Sequence, residues 1–465
     1  MPTHVEQQVI DTLNDKTKNF RIHVNEHPLI NGLREVPSQH VIEYVKNFCG
    51  LLANSPALTT SSNLIPMDLS RIRFKDPIEF PEGNYPAFTA ADSYFASEAT
   101  FNKIRFLGDA NFSGCSTAKS ISFGNASFTL GAFFQSAKLL EGGFSNVTFH
   151  KGGNFESCQF SFISNNSMFK DKVIFIAAPS LVIEDAQFEG AVMAHDGGST
   201  TTKIKRSQFQ QPVAFEGTSF TTSVIFEDCQ FSAKLSFEGR TFVKDVTFRR
   251  IIFNEANFNN TVFRAPTDFE GSTFNCAPQF FGARLFPDTS FTRTTFTNFS
   301  GEREAAAYRE LRHLGHDILK SSIVESEFFA REQRALSNSQ IRQKGRRLQG
   351  WMSKAYDYFS EYGQSISKPL VWWAAVNGSF AVIFCFMRAD IGLNKELVWN
   401  YKVWPAAGLM FQNIVAPFVF FGRQSAYFPT SGCVALLSVS QSILSFIFLA
   451  LMFLAIRRRF RKGSE

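Results

Sequence analysis

Two short groupings hold the residues best suited to chemistry. His313-x-x-His316 with Asp317 lies on a stretch of helical spacing, where the three side chains could share a metal ion. Nothing nearby in the sequence completes a four-ligand set, and a solvated polar helix face accounts for the same residues, so no metal site is expected there. The second grouping is Phe411-Gln-Asn-Ile-Val-Ala-Pro417 in an apolar stretch. Buried amides and a proline at membrane depth are tolerated only against protein or water, which makes Gln412, Asn413 and Pro417 candidate pore-lining or subunit-contact residues. The chain has no nucleophile elbow, phosphate loop, His-Glu-x-x-His or Cys-x-x-Cys. No catalytic residue, metal or cofactor is expected, and an enzyme is not the reading.

The elements that must position these residues are announced by phenylalanine, present 55 times in 465 residues. Phe215, Phe220, Phe226, Phe231, Phe237, Phe242, Phe248 and Phe253 follow one another at steps of five or six, and the beat continues through Phe258, Phe263, Phe269 and Phe274. Neither a helix, with its period of about 3.6, nor a strand, with its period of 2, gives that step. A chain that turns a corner at every beat does, and its coils then stack the marked residues along an axis. The residue two before many of these Phe is small or aliphatic, as at Ala110, Ala126, Cys158, Ala186, Val213, Val224, Cys229, Val246 and Ala256. Polar corner residues lie between, as in Phe215-Glu-Gly-Thr-Ser-Phe220. Four beats make a coil of about 21 to 22 residues, so nine or ten coils should form a rod about 45 Å long at the strand spacing of about 4.8 Å. The beat weakens between Phe175 and Phe209, and Val192-Met-Ala-His-Asp-Gly-Gly-Ser-Thr-Thr-Thr202 is read as a bulged coil or surface loop.

On these residues the chain resembles the pentapeptide-repeat family, built on A(D/N)Lxx or A(D/N)Fxx units. The resemblance covers roughly residues 90 to 300 and implies a mainly β fold, a right-handed quadrilateral β-helix. Tyr362-Gly-Gln-Ser, Lys368-Pro-Leu-Val-Trp-Trp373 and Leu454-Ala-Ile-Arg-Arg-Arg-Phe-Arg461 look like the C-terminal module of membrane-anchored bacterial members.

Residues 1–85 carry no beat and are expected to form a cap or small domain, with a short helix over Val41 to Leu52. The β-helix is assigned to 86–300. The opening Met-Pro-Thr-His-Val-Glu-Gln-Gln lacks a basic start and an apolar run, so no secretory signal is expected. The seven cysteines include two on the small inward position, where buried free thiols in a reducing compartment are the natural reading. A formal charge of +6 is a weak bias and does not indicate nucleic-acid binding.

After Phe299 the periodicity becomes helical, and 301–368 is assigned to amphipathic and basic juxtamembrane helices. Arg342, Lys344, Arg346, Arg347 and Lys354 alternate with Leu348, Trp351, Met352 and Tyr358, a pattern suited either to a solvated face or to anionic lipid. The membrane domain, 369–465, holds two uncharged runs, with helices expected near 370–387 and 433–456. A segment over 403–421 is read as re-entrant. Basic residues precede the first run, and Arg457, Arg458 and Arg459 follow the second, so both flanks should face the cytoplasm.

Three functions fit: a membrane-tethered scaffold, a channel-like or membrane-permeabilising effector, and a DNA-mimic inhibitor. The DNA mimic needs an acidic face, yet Lys203, Lys205, Arg206, Arg240, Lys244, Arg249 and Arg250 are mixed among the acids. No Thr-x-Gly-Tyr-Gly filter stands between Val403 and Phe421. The scaffold is therefore the expectation, in a bacterial inner membrane with the β-helix cytoplasmic. Its partners would be the lipid bilayer, an unidentified cytoplasmic protein and, in an assembly, further copies of the chain.

Overall fold

The computed structural model describes residues 4–53, 66–158, 161–176, 180–195, 201–217, 219–298, 301–394, 405–415 and 426–461. Two compact units make up the chain: Met1–Asn298 with Asp317–Lys320, and Phe299–His316 with Ser321–Glu465.

The first unit is a β-solenoid of about ten turns. Residues one turn apart are parallel register partners, so the beat becomes four inward columns. One column holds a ring at every turn from Tyr85 to Phe296, with Phe169 on Phe188 and Phe188 on Phe209 both stacked at 4.6 Å between centroids. A second runs through Phe101, Phe123 and Phe144, then Ser164, Ile183 and Ile204, and returns to rings at Phe226, Phe248 and Phe269. A third carries Phe112, Phe134, Phe155 and Phe175, then Ala194, then Phe215, Phe237, Phe258 and Phe280. The fourth contains Phe74 and Phe95, and later Phe220, Phe242 and Phe263. The eight core rings from Phe215 to Phe253 are between 0 and 5 % exposed. Burial contributes about 1.5–3 kcal/mol per ring, with about 0.5–1.5 kcal/mol more from offset contacts.

The alternation of fives and sixes comes from two kinds of corner. After the second and third columns, the residue two beyond the inward position has a left-handed backbone, as at Asn125 (φ 57°), Asn146 (φ 57°), Asp185 (φ 54°) and Asp228 (φ 55°). Asn, Asp and Gly tolerate that region best. An i to i+3 hydrogen bond closes the corner, as from Ala126 N to Phe123 O (3.1 Å). Sides leaving these corners are five residues long, as from Phe226 to Phe231 and from Phe237 to Phe242. Sides leaving the other two corners are mostly six, as from Phe220 to Phe226.

The small inward position beyond a left-handed corner also has a polar version. Ser167 Oγ donates to Phe144 O (2.7 Å) and accepts from Val147 N (3.2 Å). Ser272 does the same with Phe248 O and Ile251 N. A small hydroxyl thus satisfies a carbonyl and an amide of the preceding turn, groups that would be costly to bury unpaired. Cysteine substitutes as donor: Cys158 Sγ lies 2.8 Å from Phe134 O. Burial pushes the Cys158 and Cys229 thiols up to about 12, which makes them structural rather than reactive.

Three boundaries differ from the sequence reading. The ladder begins with Met67–Asp68, one turn before residue 86, because Met67 pairs with Phe88 although no Phe marks it. Val192–His195 and Thr201–Lys205 are paired strands rather than a bulge, with Val192 and Ala194 filling inward positions; residues 196–200 lie outside the described residues. Besides the helix expected over Val41 to Leu52, seen as α2 (Ser38–Ala53), the described residues before 86 hold α1 (His4–Glu26), joined to it by the hairpin Leu29–Ile30 and Leu33–Glu35. Leu33–Glu35 pairs in parallel with Ile72–Phe74 and so covers the edge of the first turn. Helices α1 and α2 meet through Phe20 and Tyr44, stacked at 4.0 Å, and Arg21 reaches Ser70 O (2.7 Å).

The second unit is helical. It contains α3 (Glu302–Asp317), α4 (Ser322–Arg342), α5 (Arg347–Ser360), α6 (Ser367–Phe386), α7 (Pro405–Val415) and α8 (Gly432–Arg461). The helical beat after residue 301 is broken at Lys320 (φ 47°), and Ser321 caps α4 by accepting from Val324 N (3.4 Å). Glu332 on α4, with a side chain 5 % exposed, accepts from Arg309 Nε (2.8 Å) and pairs with Arg312 (3.0 Å), which ties α3 to α4. Arg334 grips Asp357 at 2.9 to 3.2 Å and ties α4 to α5.

Candidate membrane site and solenoid surface

In α6 and α8 the usual pattern of a soluble core is reversed. Leu436, Phe446, Ile447, Phe453, Val371, Val382 and Phe386 are exposed, while Ser438, Gln441, Ser442 and Ser445 are buried along one face of α8. A helix in lipid has no need to hide its apolar residues, and its polar ones serve as contacts between helices.

Those contacts form a network. Gln441 Nε2 donates to Asn377 Oδ1 (2.8 Å) and Met410 O (3.3 Å), and its Oε1 accepts from Asn413 Nδ2 (2.8 Å). Asn377 Nδ2 donates to Trp373 O (2.9 Å), and Trp373 Nε1 donates to Ser445 Oγ (2.8 Å). Ser442 Oγ donates to Asn413 O (3.4 Å). One glutamine thereby links α6, α7 and α8. Buried Asn413 Oδ1 and Ser438 Oγ have no hydrogen-bond partner among the described residues.

Gln412 acts differently from its neighbour. It exchanges two hydrogen bonds with the Tyr427 backbone, Nε2 to O (3.0 Å) and Tyr427 N to Oε1 (3.1 Å), and so imitates a strand partner. The Tyr427 ring occupies the place where a Cβ on Gly408 would be, which only glycine allows. The described residues of α7 number 11, a rise of about 16 Å against a hydrocarbon core of about 30 Å. Ile391–Leu393 pairs antiparallel with Tyr427–Pro429, so the end of α6 and the start of α8 lie at the same end of this group. Pro417, the remaining candidate, falls outside the described residues.

Arg342 ends α4, Lys344 and Arg346 lie in the turn, and Arg347 opens α5; all are exposed. Leu348, Trp351, Met352 and Tyr358 are exposed on α5, and Lys354 lies 5.7 Å from the Trp351 ring. A groove of about 670 Å³ opens beside them, lined by Arg334, Lys354, Lys368, Trp351, Tyr358 and Phe359 among others. Arg457 is exposed on α8, and Arg458 and Arg459 continue that helix.

On the solenoid, a corner column alternates in charge. Asp185, Arg206, Asp228 and Arg250 follow one another turn by turn, with Arg206 Nε 2.7 Å from Asp185 and Arg250 Nε 2.6 Å from Asp228. Beside them run Glu184, Lys205, Glu227 and Arg249, where Lys205 and Arg250 both engage Glu227. Hydrogen bonds from Arg206 and Arg250 hold the Asp185 and Asp228 carboxyls below the usual range. Earlier in the column Asn146 donates to Asn125 (3.2 Å) and Asn166 to Asn146 (2.8 Å). These pairs are solvent-exposed and screened, so the column matters as a charge pattern more than as a source of stability.

Set beside protein-family models, curated proteins and solved structures, the chain matches none of them. Function must therefore be argued from these two surfaces. Sequence reasoning located Gln412 and Asn413 but missed Trp373, Asn377, Gln441 and Ser445. The signal was present in the spacing 438, 441, 442, 445, a one-sided polar stripe in an uncharged helix.

Proposed function

We propose that this chain is a membrane-anchored, non-enzymatic pentapeptide-repeat scaffold, presenting its β-helix on the cytoplasmic side of a bacterial inner membrane for a cytoplasmic protein to bind. One observation carries the anchoring: α6 and α8 bury polar residues and expose apolar ones, and only 17 % and 28 % of their apolar windows is buried. The core helix of a soluble protein would be mostly buried. The pairing of Ile391–Leu393 with Tyr427–Pro429 supports a two-span hairpin whose basic flanks share one side, the cytoplasmic one by the charge rule. The exposed Leu348, Trp351 and Met352 with Arg346 and Arg347 suit α5 to anionic lipid at that side.

The scaffold is favoured over a pore because both ends of the Gln412 amide and the Nδ2 of Asn413 are committed to Tyr427 and Gln441 of the same chain. A DNA mimic requires an uninterrupted acidic stripe, and the corner column alternates in sign instead.

The test is co-purification of the full chain, extracted in detergent after cross-linking in cells. A cytoplasmic protein should be recovered, and R206E with R250E should remove it, whereas L348A with W351A in α5 should not. Recovery unchanged by every substitution on the solenoid surface would contradict the scaffold.

A further inference from the structure

At the end of the helical cap where the hairpin joins α1 to α2, three histidines meet. His23 lies in the last turn of α1, His27 just beyond it, and His40 in the first turn of α2. They extend the Phe20–Tyr44 contact by one turn, since His40 precedes Tyr44 by four residues and His23 follows Phe20 by three. The surrounding backbone is held: Arg34 Nη1 donates to His27 O (2.8 Å), His27 N to Val24 O (3.2 Å), and His40 N to Pro37 O (3.1 Å).

His27 Nε2 is 3.3 Å from His23 Nε2, which is 3.5 Å from His40 Nδ1, and the three ring nitrogens all lie within 4.8 Å of one another. Three imidazoles on a tetrahedral zinc ion, with Zn–N near 2.0–2.1 Å, stand about 3.3–3.4 Å apart. Two edges of the triangle already have that length, and a tilt of one exposed ring closes the third. The other nitrogen of His23, Nδ1, faces Glu26 Oε2 at 3.5 Å, the carboxylate–histidine arrangement that orients a metal-bound ring.

We propose that His23 Nε2, His27 Nε2 and His40 Nδ1 form a binding site for a divalent transition cation of the zinc class, with Glu26 supporting His23. Three imidazole donors suit Zn²⁺, Cu²⁺ and Ni²⁺ and disfavour Mg²⁺ and Ca²⁺. The fourth position faces solvent, because His23 and His40 are exposed. A bound ion staples α1 to α2 and so fastens the cap over the first turn. The sequence carried part of this signal, the i, i+4 pair His23 and His27, but the third ligand arrives only through the hairpin.

The experiment uses the full chain in detergent, stripped by chelator and titrated with Zn²⁺, with Co²⁺ as the spectroscopic probe. One Zn²⁺ per chain should bind, and Co²⁺ should give visible bands of imidazole ligation. An outer-shell change typically costs about 10–100-fold in affinity, so E26Q should fall in that range and H23A, H27A or H40A should lose more. The control H313A with H316A should bind as the parent does. Circular dichroism and thermal unfolding without metal show whether each variant keeps its fold, and Gln in place of Ala serves where one does not. Stoichiometric binding that survives in the H23A/H27A/H40A variant, binding removed by the control, or none with micromolar Zn²⁺ would overturn the site.

Discussion

Phe248→Ala should destabilise the solenoid by about 3–5 kcal/mol, and Phe242→Ala by a similar amount. Phe248 stacks between Phe226 and Phe269 at 5.5 and 5.2 Å, and Phe242 between Phe220 and Phe263 at 4.8 and 5.0 Å. Removing either ring opens a cavity bordered by the turns above and below, which strand pairing prevents from closing. Lys244 and Asp245 are exposed corner residues of the same side, and their alanine variants should stay within about 0.5 kcal/mol of the parent. Thermal or denaturant unfolding compares the two classes. Equal sensitivity at rings and corners would mean that the columns are misassigned.

How this fold was legible follows from the same residues. Phe226, Phe231, Phe237 and Phe242 specify four inward positions because a large ring has only one place to go in a narrow coil. Ile183, Ala194 and Ile204 occupy ring positions without being rings, so the beat faded although the register did not. The positive φ at Arg206 and Arg250 was hidden, since arginine carries no left-handed signal; the αL corner there is imposed by the columns on either side.

Gln441→Leu should loosen the contact of α6 and α7 with α8, the candidate membrane helices, without preventing insertion. The change would orphan Asn377 Oδ1 and Asn413 Nδ2 at once and remove a second bond to Met410 O. An orphaned buried group costs about 1–3 kcal/mol, and interhelical pairs in membranes average nearer 0.6 kcal/mol because partners are found elsewhere, so a net loss of about 2 kcal/mol is expected. Unfolding in detergent mixtures, read from the environment of Trp373, measures it. Gln412→Leu with Asn413→Leu should disturb α7 more than either span, and planar-bilayer recording should find no current to lose. A conductance in the parent that this double change abolishes would restore the pore reading.

The membrane site was only half legible. Length and lack of charge announced the two candidate spans, and Pro417 and the two amides marked the interrupted segment between them. The hub, Gln441, was hidden because hydropathy averages over a helix and does not ask which face a residue occupies. Its partner Asn377 sits 64 residues earlier, a separation that no local pattern reveals.

Alkaline carbonate extraction of membranes, combined with reporter fusions at Glu465 and near Lys395, tests the central claim most directly. The membrane-anchored reading predicts that the full chain stays in the pellet until detergent is added, with a cytoplasmic signal at Glu465 and an external one near Lys395. Release of the chain by carbonate alone would show that α6 and α8 pack against protein rather than lipid, and an external signal at Glu465 would contradict the two-span hairpin.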